Sequence, residues 1–206
     1  MRTTWKPSSN KTKLTFLLSL TFLFLFSGSV YGDDYQDAMD ALDREDYKTA
    51  YKLLLPFAEQ GYPYADAQLF LGILYNNGKG VLQDYKEAEK WFRLAAEQGN
   101  RQAYLFLGEM YEDGRGVPQS YKEAVRLYRL SAEKGYASAQ NFMSRMYFLG
   151  QGVPQDYVLA HMWANLAASN GSKDAVVGKN FLEKQMSPSQ IEEAQRMARN
   201  WKPTKK

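Results

Sequence analysis

Residues 67–99 read AQLFLGILYNNGKGVLQDYKEAEKWFRLAAEQG, and the chain carries this pattern twice more without a gap. The second copy, residues 103–135, is AYLFLGEMYEDGRGVPQSYKEAVRLYRLSAEKG, and the third, residues 139–171, is AQNFMSRMYFLGQGVPQDYVLAHMWANLAASNG. Corresponding residues are 36 positions apart. A fixed period of this length is typical of proteins whose units stack side by side.

Each copy predicts two helices joined by a glycine loop. In the first copy, apolar residues recur at the spacing of one helical face over residues 67–75 and again over residues 88–96. Gly78 and Gly80 interrupt the pattern, because glycine adopts left-handed backbone angles that other residues resist. Asp84 is placed to cap the second helix, and Glu87 to complete a capping box. The glycine at the end of each copy predicts a left-handed helix end.

Small residues recur at one inward position of the copies: Gly72, Gly108 and Ser144. We expect them to let the two helices of a copy approach closely. A single helix pair would leave an apolar face in water, so neighbouring pairs must cover one another. The predicted fold class is therefore an all-α solenoid of helix–loop–helix repeats. A residue such as Tyr85, which follows the helix cap, is expected to pack against the loop before it.

The first residues have the composition of a secretory signal peptide. Four basic residues precede the apolar run 14–26, and small residues follow it. We expect a signal peptide over residues 1–32 with cleavage before Asp33, so that the protein is periplasmic or secreted; the competing interpretation is an uncleaved anchor. Without this segment the chain has 22 basic and 23 acidic residues, which gives no support to nucleic-acid binding.

The remainder predicts one domain over residues 33–201. It divides into a partial repeat at 33–64, full repeats at 65–100, 101–136 and 137–172, and C-terminal capping helices at 173–201. Residues 202–206 form a short basic tail. The chain has no cysteine, which excludes disulfides, cysteine-ligated zinc and a thiol nucleophile.

The pattern resembles the Sel-one-like repeat family, a branch of the tetratricopeptide-like solenoids. Its 36-residue signature combines A-x-x-x-L-G-x-x-Y, G-x-G-V, D-x-x-x-A and A-A-x-x-G, all of which the first copy matches from Ala67 to Gly99. The resemblance implies a right-handed superhelix whose first helices line a concave groove. It also implies an adaptor that binds a protein or peptide partner. We predict no cofactor and no metal site. Neither the partner nor the oligomeric state follows from the sequence.

Carried over position by position, the resemblance predicts eleven groove-facing residues. They are Asp66, Leu69, Ile73, Asn76, Gln102, Leu105, Glu109, Glu112, Asn141, Arg145 and Phe148. The middle of this set is acidic and its third edge is apolar. A peptide or small domain with a basic or apolar anchor is the expected partner.

Two other functions are open at this point. One is a cell-envelope enzyme or a protein that interacts with peptidoglycan or β-lactams, because a cysteine-rich branch of the family is linked to β-lactam binding and hydrolysis. Ser131 and Lys134 fit the S-x-x-K pattern of serine β-lactamases. Ser131 aligns with Ala95, however, so we expect it to pack, and we predict no enzyme. The single histidine, His161, has no second histidine or cysteine with which to bind zinc. The third possibility is a purely structural assembly protein.

Overall fold

The computed structural model describes residues 34–61 and 63–204, which form ten helices and contain no strand. The helices are α1 (34–43), α2 (Tyr47–Gln60), α3 (Ala65–Asn77), α4 (Tyr85–Glu97), α5 (Arg101–Asp113), α6 (Tyr121–Glu133), α7 (Ala137–Leu149), α8 (Tyr157–Ser169), α9 (Lys173–Glu183) and α10 (Pro188–Asn200). Among the described residues, no helix has the length and apolar character needed to cross a bilayer. The predicted signal peptide lies outside the described residues.

The helices pack in the order in which they follow one another. Within the three full repeats, α3 packs on α4, α5 on α6 and α7 on α8. Each pair is joined to the next through α4 with α5, α6 with α7, and α8 with α9. Such a ladder of neighbour contacts confirms the predicted all-α solenoid.

The helix ends follow from local sequence. The Asp84 carboxylate accepts hydrogen bonds from the backbone N–H groups of Lys86 and Glu87, at 2.8 and 3.1 Å. The capping box predicted there is only half formed, because the Glu87 side chain pairs with Lys90 at 3.2 Å instead. At the start of α10, Ser187 and its third helical residue, a glutamine, form the complete box.

The second glycine of each loop holds two repeats together. Gly116 has a φ of +74°, and a Cβ there would lie 2.6 Å from the backbone oxygen of Tyr85, the first residue of α4. Gly80 is seated against Tyr47 of α2 in the same way, at 2.5 Å. The prediction that Tyr85 packs against its own loop was thus incomplete, because its backbone supports the loop of the next repeat.

The size of each small inward residue is complementary to the size of the side chain that faces it. A Cβ on Gly108 would lie 2.6 Å from Cδ1 of Tyr128, a residue with no exposed surface. In the third repeat the position equivalent to Tyr128 is Ala164, and the small position is occupied by Ser144. The expected close approach is confirmed, and its cause is the ring on the facing helix.

The C-terminal end departs from the repeat. α9 occupies the place of a fourth first helix, but α10 packs mainly on α8 rather than pairing with α9. The Trp201 ring lies 6.1 Å from that of Trp163, and the Thr204 N–H donates to the Glu133 carbonyl at 2.8 Å. As a result, no helix among residues 34–61 and 63–204 pairs with α9 in the way that α4, α6 and α8 pair with α3, α5 and α7.

Candidate binding groove

The first helices carry the predicted groove positions, and we call their side chains the first-helix surface. Nine of the eleven predicted residues are half-buried or exposed there. Leu69 and Leu105 are only 2% and 6% exposed, so the prediction that they face a partner needs correcting. Leu69 belongs to a cluster with Ala103 and Leu107 of the next first helix, and Leu105 to one with Met143. Both leucines therefore join repeats.

Two polar residues at the rim also connect neighbouring repeats. The Asp66 carboxylate accepts a hydrogen bond from the Asn100 side chain at 2.8 Å. The Gln102 side chain donates to the Tyr136 hydroxyl at 3.3 Å. Asn100 and Tyr136 precede the next first helices, so these contacts fix the register between repeats.

The middle of the surface contains an ion pair between the partly exposed Arg145 and the more deeply placed Glu112. One nitrogen of the Arg145 guanidinium lies 2.7 and 2.6 Å from the two carboxylate oxygens of Glu112. The Tyr128 hydroxyl donates to the same carboxylate at 2.7 Å. Burial, together with this hydrogen bond, raises the pKa of Tyr128 and keeps its hydroxyl a donor. The negative charge of Glu112 is thus already paired with Arg145 within the protein.

Glu109 is less completely compensated. Its carboxylate lies 4.0 Å from the Arg115 guanidinium, which is 3.0 Å from Asp113 and also donates to the Asn76 side chain at 3.3 Å. Burial raises the pKa of the Glu109 carboxyl, and Arg115 opposes the shift. A cationic group of a partner would therefore gain more at Glu109 than at Glu112.

An apolar pocket of about 390 Å³ lies between α7 and α9. Predicted groove residues form its α7 side, and α9 forms the other; the lining consists of Asn141, Ser144, Arg145, Phe148, Val177, Gly178, Phe181 and Leu182. The Phe148 ring packs edge-on against Phe181 at 5.7 Å and stacks on Tyr157 at the same distance. The pocket thus offers an aromatic wall to a ligand side chain.

The two α9 residues that open this pocket are not among the groove residues predicted from the sequence. Val177 and Phe181 are 70% and 52% exposed. They stand 36 residues after Asn141 and Arg145, so extending the repeat register into α9 would have found them.

The serine of the S-x-x-K pattern is a packing residue. Ser131 has no exposed surface, and its hydroxyl donates to the backbone carbonyl of Arg101 at 2.7 Å. A buried hydroxyl engaged in this way has no access to a substrate carbonyl. The sequence pattern therefore does not mark a nucleophile.

The single histidine joins two helices. His161 of α8 is fully buried, and its Nε2 lies 3.0 Å from a carboxylate oxygen of Glu183 at the end of α9. The described part of the chain holds no group of three or more residues suited to a metal ion. The position of His161 is accounted for by its contact with Glu183.

The repeat register decides the family. A family model for the Sel1 repeat matches residues 35–62, 65–100, 101–136 and 137–172. The chain belongs to the Sel1 repeat family. Sel1 repeat proteins are generally protein-interaction scaffolds, and their fold is typically non-enzymatic.

Two solved structures share this architecture. The chain is 30% identical to a Sel1 repeat protein from Oxalobacter formigenes, with a TM-score of 0.68 over 73% of this chain and 61% of that one. It is 27% identical to a protective antigen present in uropathogenic Escherichia coli strains that displays an SLR fold, with a TM-score of 0.55 over 73% and 40% of the two chains. The chain spans less than two thirds of either relative. No curated protein matches it.

Proposed function

We propose that this Sel1 repeat protein is an exported scaffold that binds a segment of a partner protein along the first-helix surface. The observation that carries the proposal is the apolar pocket between α7 and α9. Its volume of about 390 Å³ falls within the range of ligand pockets, and it is large enough for one aromatic or long aliphatic side chain. Export rests on the basic, apolar and small-residue order of residues 1–32.

The pocket supplies the apolar part of recognition. Phe181 and Val177 expose about half or more of their side chains, while Phe148 lies behind them. Covering such area contributes roughly 25 cal/mol per Å². Because Arg145 lines the same pocket and is held by Glu112, the entering side chain meets a fixed polar edge. Fixed polar groups around an apolar pocket orient a ligand.

Glu109 supplies the polar part. It stands one repeat before Arg145 and two repeats before Phe181 in the 36-residue register. A partner segment that crosses the repeats can therefore place a basic residue at Glu109 and an apolar anchor in the pocket.

Quantitative capture from an envelope extract tests the binding site. We expect Phe181→Asp to reduce recovery of the partner by tenfold or more, on the order of the loss when an interface anchor is removed. Glu109→Lys should reduce it as well, because it places a cation against a basic partner residue. Leu82→Asp is the matched control, since Leu82 is 91% exposed on a loop away from the pocket. Equal recovery by the parent and by Phe181→Asp would show that the pocket does not bind the partner.

Export is tested separately. We expect the protein in the periplasmic or secreted fraction, with a mature N-terminus at Asp33 determined by N-terminal sequencing. A protein retained in the cytoplasm with residues 1–32 intact would contradict the export proposal and leave the binding proposal standing.

A further inference from the structure

One face of α9 corresponds to the faces by which earlier first helices pack against the next repeat, and it is exposed. Position 69 of α3 and position 105 of α5 are leucines buried against the next first helix. In α7 the equivalent residue is the half-buried Asn141. In α9, 72 positions after Leu105, it is Val177, which is 70% exposed. No helix among the described residues covers it, because α10 packs on α8.

A second series of contacts runs between residues 33 positions apart. Glu112 pairs with Arg145 across the α5–α7 junction, and Phe148 packs on Phe181 across the α7–α9 junction. Lys184 follows in the same register, 36 residues after Phe148, and it is exposed. If the series continued into a further helix, a carboxylate on that helix could form an ion pair with Lys184.

The exposed apolar area of α9, and the polarity of the other end of the stack, distinguish a partner protein from a second copy of the chain. The exposed apolar side chains of α9 are Val176, Val177 and Phe181, which together present on the order of a few hundred Å². A stable homodimer needs about 800 Å² from each partner. At the other end of the stack, the exposed side chains of α1 are polar, among them Asp37 and Asp43. End-to-end stacking of copies would bring this polar face against the exposed apolar side chains of α9.

We propose that the α9 face accepts an amphipathic helix of a partner protein, which adds to the solenoid as a further first helix. The α7 helix shows what such a helix carries, since Ala139, Phe142 and Met143 share the cluster that buries Leu105. The added helix has small and large apolar residues at that spacing, and a carboxylate where α7 has Arg145. This docking does not rest on binding along the first-helix surface, although Val177 and Phe181 belong to both sites.

Two synthetic peptides test the docking. One has the sequence of residues 137–149, ASAQNFMSRMYFL, and the other is the same peptide with Arg145→Glu; both are acetylated and amidated. Their affinities for the full chain are measured by fluorescence anisotropy. We expect the glutamate peptide to bind about two- to fivefold tighter, the range of an exposed ion pair with Lys184.

Variants of the protein distinguish specific docking of the peptides from nonspecific binding. Lys184→Glu should reverse the preference, so that the peptide with arginine binds tighter. Val177→Asp should weaken both peptides by about tenfold or more, because a carboxylate then meets the apolar stripe. Leu82→Asp is the control that introduces the same charge on another exposed apolar side chain and should leave binding unchanged.

Three outcomes would overturn the proposal. They are an unreversed preference in Lys184→Glu, equal binding to Val177→Asp and the parent, and a dimer in light scattering that Val177→Asp abolishes. The dimer would assign the face to a second copy. Loss of partner capture in Glu109→Lys with normal peptide binding would concern the first-helix surface alone.

Discussion

Replacing Gly108 by alanine should destabilise the protein, although alanine is the better helix former. A Cβ at this position would lie 2.6 Å from Cδ1 of Tyr128, whereas carbon atoms in contact are about 3.5–4.0 Å apart. The ring therefore has to move by about 1 Å. It is held in place by the hydrogen bond to Glu112 and by stacking on Phe142, with the ring centroids 4.8 Å apart.

The expected magnitude follows from three contributions. Overpacking of this kind costs about 1–3 kcal/mol. Weakening the hydrogen bond from Tyr128 to a charged carboxylate adds roughly 1 kcal/mol. The helix propensity of alanine offsets about 1 kcal/mol. The net loss is about 2 kcal/mol, which lowers the melting temperature by about 4–8 °C in a chain of this size.

Urea denaturation and thermal melting of Gly108→Ala measure this loss, and two comparisons isolate its cause. Gly178→Ala makes the same change within helix α9, where a Cβ meets no atom within 4 Å, and should stabilise by up to about 1 kcal/mol. In a Tyr128→Ala background, Gly108→Ala should likewise be neutral or stabilising. A Gly108→Ala protein as stable as the parent, or equally destabilised without the Tyr128 ring, would refute the proposed contact.

Three further predictions concern packing and charge. In urea denaturation, Gly116→Ala should lower the free energy of unfolding by at least about 1 kcal/mol more than Gly135→Ala. Both glycines have a positive φ, but of the two only a Cβ at Gly116 would contact backbone, namely the Tyr85 carbonyl. Burial raises the pKa of Glu109, so ionisation of this carboxyl opposes folding. The melting temperature of Glu109→Gln should therefore rise relative to that of the parent as the pH rises from about 4 to 7. A difference that stays constant with pH would contradict this. Ala132→Leu, at a fully buried site, should cost about 1–3 kcal/mol by overpacking, and an unchanged melting curve would show that the site accommodates the larger side chain.

The groove shows where sequence reasoning reaches its limit. The family resemblance placed Leu69 and Leu105 in the groove together with Ile73 and Glu109, which lie one helical turn further along the same faces. The burial of Leu69 and Leu105 depends on the next first helix, 36 residues further on. Arg145 and Glu112 were predicted as separate groove residues, but stacking of the repeats brings them together as an ion pair.

The pocket illustrates the same limit at the end of the stack. Val177 and Phe181 have the register of groove residues, and the sequence contains that register. Their exposure follows from the position of α10, which packs mainly on α8, so that no helix in the described part of the chain pairs with α9. Nothing in the capping box at Ser187 indicates this choice, because a cap fixes where a helix begins and carries no information on what it packs against.

By itself, the sequence determined the period of 36 residues, the two helices of each unit, the glycine loops between them and hence the family. These features depend on local backbone preference and on apolar spacing, which neighbouring residues carry. Only the tertiary structure decided which groove side chains remain free, which are paired, and that the last first helix has an open face. Those properties depend on contacts between residues 33 or more positions apart, whose outcome is set by the packing of whole helices.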